Sequence, residues 1–458
     1  LWWPPWWKSP PVTLSPGTLL QVVIDFNMKK MKSLLLVESV TNPLLDATYK
    51  GYPRTGESRL CADVATAGWN VLAGDLPLPV ALLKRNALEH NLAWMQARVR
   101  EWGVDFAPHG KTTMSPQLFR RQLDAGSWGI TFATVTQLAI GVAAGVRRSL
   151  IANQVVSDAD LAGIQQLLAA CAGLRTVFLV DSTAQLELIE NWFARHPGSV
   201  PFEVMLEIGV DAGRTGCRTH PQAVQLARAI HEGKAARLVG IECYEGQGAT
   251  GDSAADAAYT NTLMDRVDAV AREAVANDWF ECDEVLVSAG GSAIYDIVAA
   301  RLKPALGRPV RGLLRSGCYV THDHGTYQRY QASIDARLGC DCGDSLRAAM
   351  EVWATVQSRP EPGLAIMAMG KRDISFDLSM PVPIARAALG ASATSAVPPG
   401  WHISALNDQH GYLRWNADEE ALAPMVGERI GFGISHPCTT FDKWRWLPVV
   451  DDAYRVVD

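Results

Sequence analysis

The chain has 458 residues, of which 48% are hydrophobic and 20% are charged, and its formal net charge is −6. This composition is typical of a globular protein with a large core and two domains, and it excludes a basic nucleic-acid-binding face and a bilayer-spanning apolar run. Nine cysteines, an odd number spread singly along the chain, favour reduced thiols and therefore a cytoplasmic location.

The first 30 residues, which begin LWWPPWWKSPP, are predicted to be a non-native or disordered leader. They lack the charged, apolar and small-residue regions of a signal peptide. Met28 or Met31 would serve as a native start. Residues 31–84 are predicted to form an N-terminal segment that packs partly on a β domain.

From residue 85 onward, apolar runs rich in β-branched residues alternate with helical patterns. This alternation indicates βα units around a parallel sheet, and eight runs predict a closed, TIM-like (β/α)8 barrel over residues 85–328. The runs are VDFA near 104, GITFAT at 129–134, SLIANQVV at 149–156, TVFLV at 176–180, FEVMLEIG at 202–209, LVGIECY at 238–244, EVLVSAG at 284–290 and RGLLRS at 311–316.

Lys111 lies where the first of these strands should stop and a helix should begin. Pro108 and Gly110 break the apolar run, and Ser115 with Pro116 opens a helical pattern, so the amine is predicted to lie on a βα loop. A lysine presented there can bind a carbonyl cofactor as a Schiff base if it is partly desolvated. The alternative is an ordinary solvated surface charge.

Catalytic residues of such barrels gather at the C-terminal ends of the strands. Gly290, Gly291 and Ser292 follow the seventh strand and offer open amides, a hydroxyl and a helix N-terminus to a phosphate, although an ordinary turn would have the same pattern. The other candidates at strand ends are Lys111, Asn153, Asp181, Arg214, Tyr244 and Tyr319.

After the barrel, shorter β-like runs broken by glycine and proline predict a mainly β domain over residues 329–458. Within it, Cys340 and Cys342 belong to an insertion that is predicted to be a surface loop, with metal binding as the alternative. Near the end of the chain, His436 and Cys438 are two residues apart on an extended segment, where an imidazole and a thiolate can bind one soft divalent ion such as zinc. A buried structural pair is the alternative there.

The region from about residue 80 to the C-terminus resembles the pyridoxal-phosphate enzymes with an alanine-racemase-like barrel. Within them, it is most similar to the group that contains D-serine dehydratases (deaminases) and D-threonine aldolases. The stretches that carry the resemblance are PHGKTTMSPQL, AGSWGITFATVTQL, LIANQVV, LEIGVDAGRTGCR, YEGQ, VSAGGS, SRPEPGLAIMAMGKRDISFD and SHPCTTFDKWRW.

The resemblance implies that pyridoxal 5'-phosphate is carried on Lys111 and that the protein is a homodimer with active sites near the interface. It also implies an arginine contact from Arg214 to the cofactor's phenolic oxygen, an active-site role for Tyr244, and a place for Tyr319 near the cofactor phosphate. The predicted cofactor-binding set is Lys111, His109, Asn153, Arg214, Tyr244, Gly290, Gly291, Ser292 and Tyr319, and the predicted catalytic pair is Lys111 and Tyr244.

Because of the same resemblance, metal binding is preferred to a buried structural pair as the interpretation of His436 and Cys438. Dehydratases of this group have a histidine and a cysteine here, whereas the aldolases have a histidine and an aspartate, so Cys438 favours a dehydratase. Gln247 stands where several relatives have histidine, which makes a second base there doubtful. His410 resembles an element near the metal, and Asp377 with Arg372 is interpreted as supporting or interface residues.

These features predict a zinc- and pyridoxal-phosphate-dependent D-amino acid dehydratase that converts a D-serine-like substrate to a 2-oxo acid and ammonia. Lys111 takes the α-proton, and zinc assists loss of the β-hydroxyl. The alternatives are a metal-activated D-threonine or 3-hydroxy-D-amino acid aldolase, a racemase, and a non-catalytic pyridoxal-phosphate-binding protein. A metal-dependent hydrolase, suggested by His322 and His324, ranks lowest because such a pair usually follows the first barrel strand.

Overall fold

The computed structural model describes residues 40–339 and 344–458. It contains two architectures, a parallel barrel with helices around it and a largely antiparallel sheet. The predicted leader, both possible starting methionines, Cys340 and Cys342 lie outside the described residues. Within the described residues, no helix has the length and apolar character needed to cross a membrane.

The first architecture is the predicted barrel, and all eight predicted strands are present. Each is parallel to its neighbours in an eight-stranded sheet. The first two strands are at opposite ends of the hydrogen-bonded order, and a parallel bridge between His109 and Thr131 closes the ring. In chain order, the strands are Asp105–Phe106, Ile130–Phe132, Arg148–Gln154, Arg175–Val180, Phe202–Ile208, Ala236–Cys243, Val285–Ala289 and Val310–Leu314.

Helices cover the outside of the barrel, because each has an apolar face that must be buried against the sheet. Serine and threonine side chains begin several of them, as Ser115, Thr134, Ser157, Ser182 and Thr219 each accept a hydrogen bond from a backbone amide of the first turn. The α-helices of this region are Arg85–Glu101, Pro116–Asp124, Val135–Ala143, Asp158–Ala170, Thr183–Arg195, His220–Glu232, Ser253–Ala276, Tyr295–Ala299 and Thr326–Leu338. Short 3-10 turns lie at Gly110–Thr112, Gly246–Gly248 and Cys318–Val320.

The second architecture is an antiparallel sheet. Its hydrogen-bonded order is Val382–Ala387, Arg429–Gly433, Met350–Glu361, Leu364–Met367, Gly411–Arg414 and His402–Leu406. The strand Val80–Lys84 pairs with Met350–Glu361 and, in parallel, with Val449–Val450, so a strand that precedes the barrel in sequence belongs to the C-terminal sheet. A hairpin of Leu44–Leu45 and Arg59–Leu60, 3-10 turns at Cys61–Ala67 and Ala417–Leu422, and the helix Pro437–Phe441 complete the described elements.

The core is continuous between the two architectures. One large cluster of buried side chains includes barrel residues such as Phe178 and Ile241 together with Val352 and Phe432 of the C-terminal sheet. A smaller cluster centred on Trp353 buries the N-terminal hairpin region through Leu45 and Tyr52. The sheet end that bears His436 is therefore held firmly against the mouth of the barrel.

Candidate active site

Lys111 lies in the short turn Gly110–Thr112, directly after the first barrel strand. Gly110 is buried, and a Cβ atom there would come within 2.8 Å of Ile130 and 2.9 Å of Phe119, so only glycine fits this close packing. The turn is thereby fixed against the barrel wall, while the Lys111 side chain is exposed. The predicted placement on a βα loop is observed, but the side chain is more exposed than the partial desolvation expected from the sequence.

His109 is a buried imidazole in a cationic environment. Burial lowers its pKa well below 6.5, and the charges of Lys111, Arg315 and Arg214 lower it further. Its Nδ1 atom is buried without a hydrogen-bond partner among the described residues. A neutral ring surrounded by three cations suits an anionic ligand with an aromatic ring, and pyridoxal phosphate is such a ligand.

Arg315 was not predicted to be a site residue, although it lies at the mouth of the barrel. Its guanidinium lies 2.8 Å from the carboxylate of Glu242, and both side chains are at least 96% buried. It also donates hydrogen bonds to Ser288 Oγ at 2.8 Å and to the carbonyl of Cys243 at 3.2 Å. The available signal was Glu242 near the end of the apolar sixth-strand run LVGIECY and Arg315 directly after the eighth strand.

The predicted phosphate loop has an internal partner. The amides of Gly290 and Gly291 donate to the carboxylate of Glu245, at 3.0 Å and 2.6 Å. Glu245 is fully buried, and burial raises its pKa, while these backbone hydrogen bonds lower it. Ser292 is the third member of the predicted set, and its Oγ accepts a hydrogen bond from the amide of Cys318 at 3.4 Å. A phosphate at this loop would therefore share its donors with Glu245, or displace it.

Tyr244 and Arg214 contact each other at the ends of the sixth and fifth strands. The guanidinium carbon of Arg214 lies 4.8 Å from the centre of the Tyr244 ring, and the Arg214 amide donates to Gln247 at 3.1 Å. Burial raises the pKa of Tyr244, and the charge of Glu245 raises it further, so the hydroxyl stays protonated at neutral pH. This environment favours Tyr244 as a hydrogen-bond donor rather than as a base.

The remaining strand-end candidates have structural partners. Asn153 donates to the carbonyl of Ala133 at 2.8 Å. Tyr319 is buried, its hydroxyl accepts a hydrogen bond from Gln122 at 3.3 Å, and its ring packs edge-on against Phe106. Burial raises the Tyr319 pKa far above its usual range. The hydroxyl of Tyr319 is thus hydrogen-bonded to the helix that follows Lys111. Asp181, the last of these candidates, accepts a hydrogen bond from the amide of Gly216 at 3.0 Å.

His436 and Cys438 lie at the edge of the C-terminal sheet and interact with each other. His436 Nδ1 is 2.5 Å from the carboxylate of Asp377, which leaves the second ring nitrogen for another ligand. Burial lowers the pKa of His436, but the hydrogen bonds to Cys438 and Asp377 outweigh it and raise the pKa to about 9. Metal-binding histidines in proteins usually have this carboxylate partner. Asp377, interpreted from the sequence as a supporting residue, occupies that position.

Cys438 connects the His436 and Cys438 pair to the turn that contains Lys111. Its thiol lies 3.6 Å from the hydroxyl of Thr112, the residue after Lys111. Hydrogen bonding with Cys318 lowers the pKa of Cys438 below its usual range, and the His436 contact lowers it further, although burial raises it. The thiolate is the form in which a cysteine binds zinc. The contact between Cys318 and Cys438 was not predicted from the sequence.

The other metal hypotheses find less support. Among the described residues, no group of three or more histidine, cysteine, aspartate or glutamate side chains is arranged to hold a metal ion. His322 and His324 are buried and each has a pKa lowered to about 4, chiefly by burial. His410 is exposed, and the adjacent Asp408 carboxylate lies 3.6 Å from Arg372.

Comparisons with known proteins show which families the chain is similar to. The family model described as "Alanine racemase, N-terminal domain" matches residues 83–303, and the one described as "Putative serine dehydratase domain" matches residues 349–450. A D-threonine aldolase of Arthrobacter sp. is 26% identical over 82% of this chain and 89% of its own length. The D-threo-3-hydroxyaspartate dehydratase of Delftia sp. (strain HT23) is 28% identical over 80% of this chain and 92% of its own length.

Solved structures extend the comparison to the fold. The D-threonine aldolase from Filomicrobium marinum superposes with a TM-score of 0.70 at 25% identity, and the match covers 85% of this chain and 96% of the aldolase. Two variants of a D-threo-3-hydroxyaspartate dehydratase, one at a histidine and one at a cysteine in the metal-free form, have also been solved. The two altered positions are two residues apart, which is the spacing of His436 and Cys438.

Proposed function

Because the chain belongs to the alanine-racemase-like, fold-type III family of pyridoxal-phosphate enzymes, we propose that it is a zinc-dependent dehydratase of D-amino acids. A D-serine-like substrate would yield a 2-oxo acid and ammonia, which for D-serine means pyruvate. The observation that carries this proposal is the position of the His436 and Cys438 pair, with Cys438 3.6 Å from Thr112 in the Lys111 turn.

The residues around Lys111 fit the cofactor. Lys111 would hold its carbonyl carbon, and Arg214, Arg315 and the His109 ring supply a cationic, partly aromatic environment for an anionic ring. When bound, pyridoxal phosphate supplies an electron sink that stabilises negative charge at the substrate Cα. Ser292, together with the amides of Gly290 and Gly291, is the proposed phosphate contact. Asn153 and Tyr319 stay proposed cofactor neighbours.

Lys111 has the central chemical role among the chain's own residues. Its Nζ, once free, takes the proton from the substrate Cα as general base. Tyr244 Oη stays protonated because its pKa is raised, so it is available as a hydrogen-bond donor at the same strand ends. The Arg214 guanidinium lies over the Tyr244 ring and holds it in place. A protonated Tyr244 is poorly suited to be the second base of a racemase, which makes that alternative less favourable.

His436 and Cys438 would hold the metal ion, which supplies Lewis acidity to the leaving β-hydroxyl. Asp377 orients the imidazole so that its second nitrogen is available. One imidazole and one thiolate are soft ligands that favour zinc, and two protein ligands leave positions open for substrate oxygen atoms. The dehydratase relative, with its histidine and cysteine variants and a metal-free form, supports this assignment.

An aldolase that acts on D-threonine or a 3-hydroxy-D-amino acid is the second candidate. The D-threonine aldolase of Arthrobacter sp. and the 3-hydroxy-D-aspartate aldolase of Paracoccus denitrificans are also similar to this chain. An aldolase would use Lys111 and the metal pair to break the Cα–Cβ bond. The thiolate at Cys438 favours the dehydratase over it.

We further propose a homodimer in the cytoplasm. A stripe of exposed apolar side chains, Phe376, Leu378, Met380 and Val382, runs beside Asp377 and so beside the proposed metal pair. An apolar stripe next to an active site is typical of a subunit interface. Light scattering of the purified protein would give twice the chain mass, and a monomer would contradict the proposal.

The deciding assay uses purified protein loaded with pyridoxal phosphate and zinc. D-serine, D-threonine and D-3-hydroxyaspartate are supplied separately, with their L forms as controls, and ammonia, 2-oxo acid and glycine are measured. We expect ammonia and a 2-oxo acid in equal amounts from D substrates, loss of both on chelation, and recovery with added zinc. Glycine with an aldehyde and no ammonia would establish the aldolase instead.

Variants separate the roles of the residues. Lys111→Ala is expected to abolish turnover and covalent attachment of the cofactor, which reduction with borohydride and mass spectrometry would detect. Cys438→Ala is expected to lose zinc and turnover but to keep the attached cofactor. The proposal fails if Lys111→Ala retains turnover, or if chelation leaves the rate unchanged.

A further inference from the structure

Cys318 and Cys438 form a thiol pair between the two architectures. Cys318 lies in the turn Cys318–Val320 after the last barrel strand, and Cys438 lies in the helix Pro437–Phe441 of the C-terminal region. Their sulfur atoms are 3.8 Å apart although the residues are 120 positions apart in sequence. No other pair among the seven described cysteines has sulfur atoms within contact distance.

Both thiols are held in place by further contacts. The Cys318 amide donates to Ser292, and its side chain is only 4% exposed. Cys438 contacts the buried Thr112 on its other side and is itself partly exposed, and a small oxidant can reach the pair through that exposed part. A disulfide places its sulfur atoms about 2.05 Å apart, so the two sulfur atoms would have to approach by about 1.8 Å through rotation of their side chains.

We propose that Cys318 and Cys438 are a disulfide-forming pair whose oxidation removes the thiolate of the metal site. The loss of metal binding rests on the proposed function, whereas bond formation rests on the sulfur geometry alone. With hydrogen peroxide as oxidant, one thiol becomes a sulfenic acid and releases water. The second sulfur then attacks, the S–S bond forms as the S–O bond breaks, and a second water leaves. A dithiol reverses the reaction.

Zinc and the disulfide compete for one sulfur atom. Cys438 cannot ligate a metal while it is bonded to Cys318, and a metal-bound thiolate is withheld from the oxidant. By linkage, bound zinc stabilises the reduced pair and oxidation weakens zinc binding by the same factor. The site would therefore lose its metal reversibly under peroxide and regain it under a thiol reductant.

The test treats the full-length chain with hydrogen peroxide after zinc removal and, in parallel, with zinc bound. Zinc is measured by elemental analysis, thiols are titrated in denaturant, and tryptic peptides are mapped without reduction. In the metal-free sample, we expect a Cys318–Cys438 cross-link and a decrease from nine thiols to seven. Dithiothreitol should restore all nine, and the zinc-bound sample should keep them. Metal-free protein that forms no such cross-link would overturn the proposal.

Two serine variants complete the test. Cys318→Ser should form no cross-link and should still bind zinc after peroxide treatment once residual sulfenic acid is reduced. Loss of zinc from untreated Cys318→Ser would overturn the proposal and make Cys318 a metal ligand. Cys282→Ser is the matched control, since that half-buried thiol donates its hydrogen bond to the carbonyl of Val239 and packs against the barrel core, and it should respond as the wild type does. A wild-type chain that binds no zinc yet forms the cross-link would support the disulfide and contradict the proposed metal site.

Discussion

The buried ion pair of Arg315 and Glu242 gives the sharpest stability prediction. Arg315→Met would remove a charge that lies 2.8 Å from the Glu242 carboxylate, together with the hydrogen bonds to Ser288 and to the carbonyl of Cys243. The carboxylate would stay 99% buried without a counter-charge. Breaking such a pair from one side typically reduces the free energy of unfolding by about 3–5 kcal/mol, because the remaining charge is desolvated and unpaired.

The loss should depend on pH in a defined direction. Burial raises the pKa of Glu242 to about 7 from 4.5, although Arg315 lowers it, so removing Arg315 raises this pKa further. A carboxyl group whose pKa is raised in the folded state contributes stability that is complete below 4.5 and is lost as the pH rises through the folded pKa. Arg315→Met should therefore be destabilised more strongly at pH 8 than at pH 5.5.

Urea unfolding followed by tryptophan fluorescence, at both pH values, measures the effect. The double variant Glu242→Gln with Arg315→Met removes both charges and should recover most of the stability, since no ion is left buried. Arg315→Lys keeps a charge and is the fallback if the methionine variant does not fold. A loss below about 1 kcal/mol at pH 8, or a double variant no more stable than Arg315→Met, would refute the reasoning.

Two other predictions follow from the cited contacts. Burial lowers the pKa of His322 to about 4 from 6.5, so its contribution is complete above pH 6.5 and falls by about 3 kcal/mol as the pH drops to 4. Urea midpoints measured from pH 7 to pH 4 should fall less in His322→Gln, and equal slopes in both proteins would contradict the assignment. Asp377→Asn should weaken zinc binding by about 10–100-fold, measured by chelator competition. Thr439→Val, which loses hydrogen bonds to the same carboxylate and to the backbone carbonyl of His436 but none to its imidazole, should have a smaller effect, and a larger one would count against the orienting role of Asp377.

The barrel was predictable because its signal is local. Each strand is a short apolar run and each helix has its own periodic pattern, and serine or threonine begins several of the helices. All eight predicted strands are present, with ends that differ by a few residues. The position of Lys111 followed from the same local rules. Its exposure did not, because burial depends on side chains that lie far away in sequence.

The contacts that shape the site were not predictable, because each joins residues that are distant along the chain. Glu242 lies in the sixth barrel strand and Arg315 directly follows the eighth, and nothing in either local sequence identifies the other as its partner. The carboxylate of Glu245 at the Gly290 and Gly291 amides is a similar case, since the glycine pattern is the same whether the amides bind a phosphate or an internal carboxylate. The sequence indicates which groups are available, and tertiary packing decides which of them meet.

The two architectures contribute different parts of the proposed chemistry. The barrel supplies Lys111 and the cationic surroundings of His109, which would suit any enzyme that uses the same cofactor. The C-terminal sheet supplies His436 and Cys438, and the contact between Cys438 and Thr112 joins them to the Lys111 turn. Relatives with this architecture include both an aldolase and a dehydratase, so the fold alone does not select the reaction. We propose that the selection depends on the few side chains at this junction, where a thiolate in place of a harder carboxylate ligand would favour a softer metal ion.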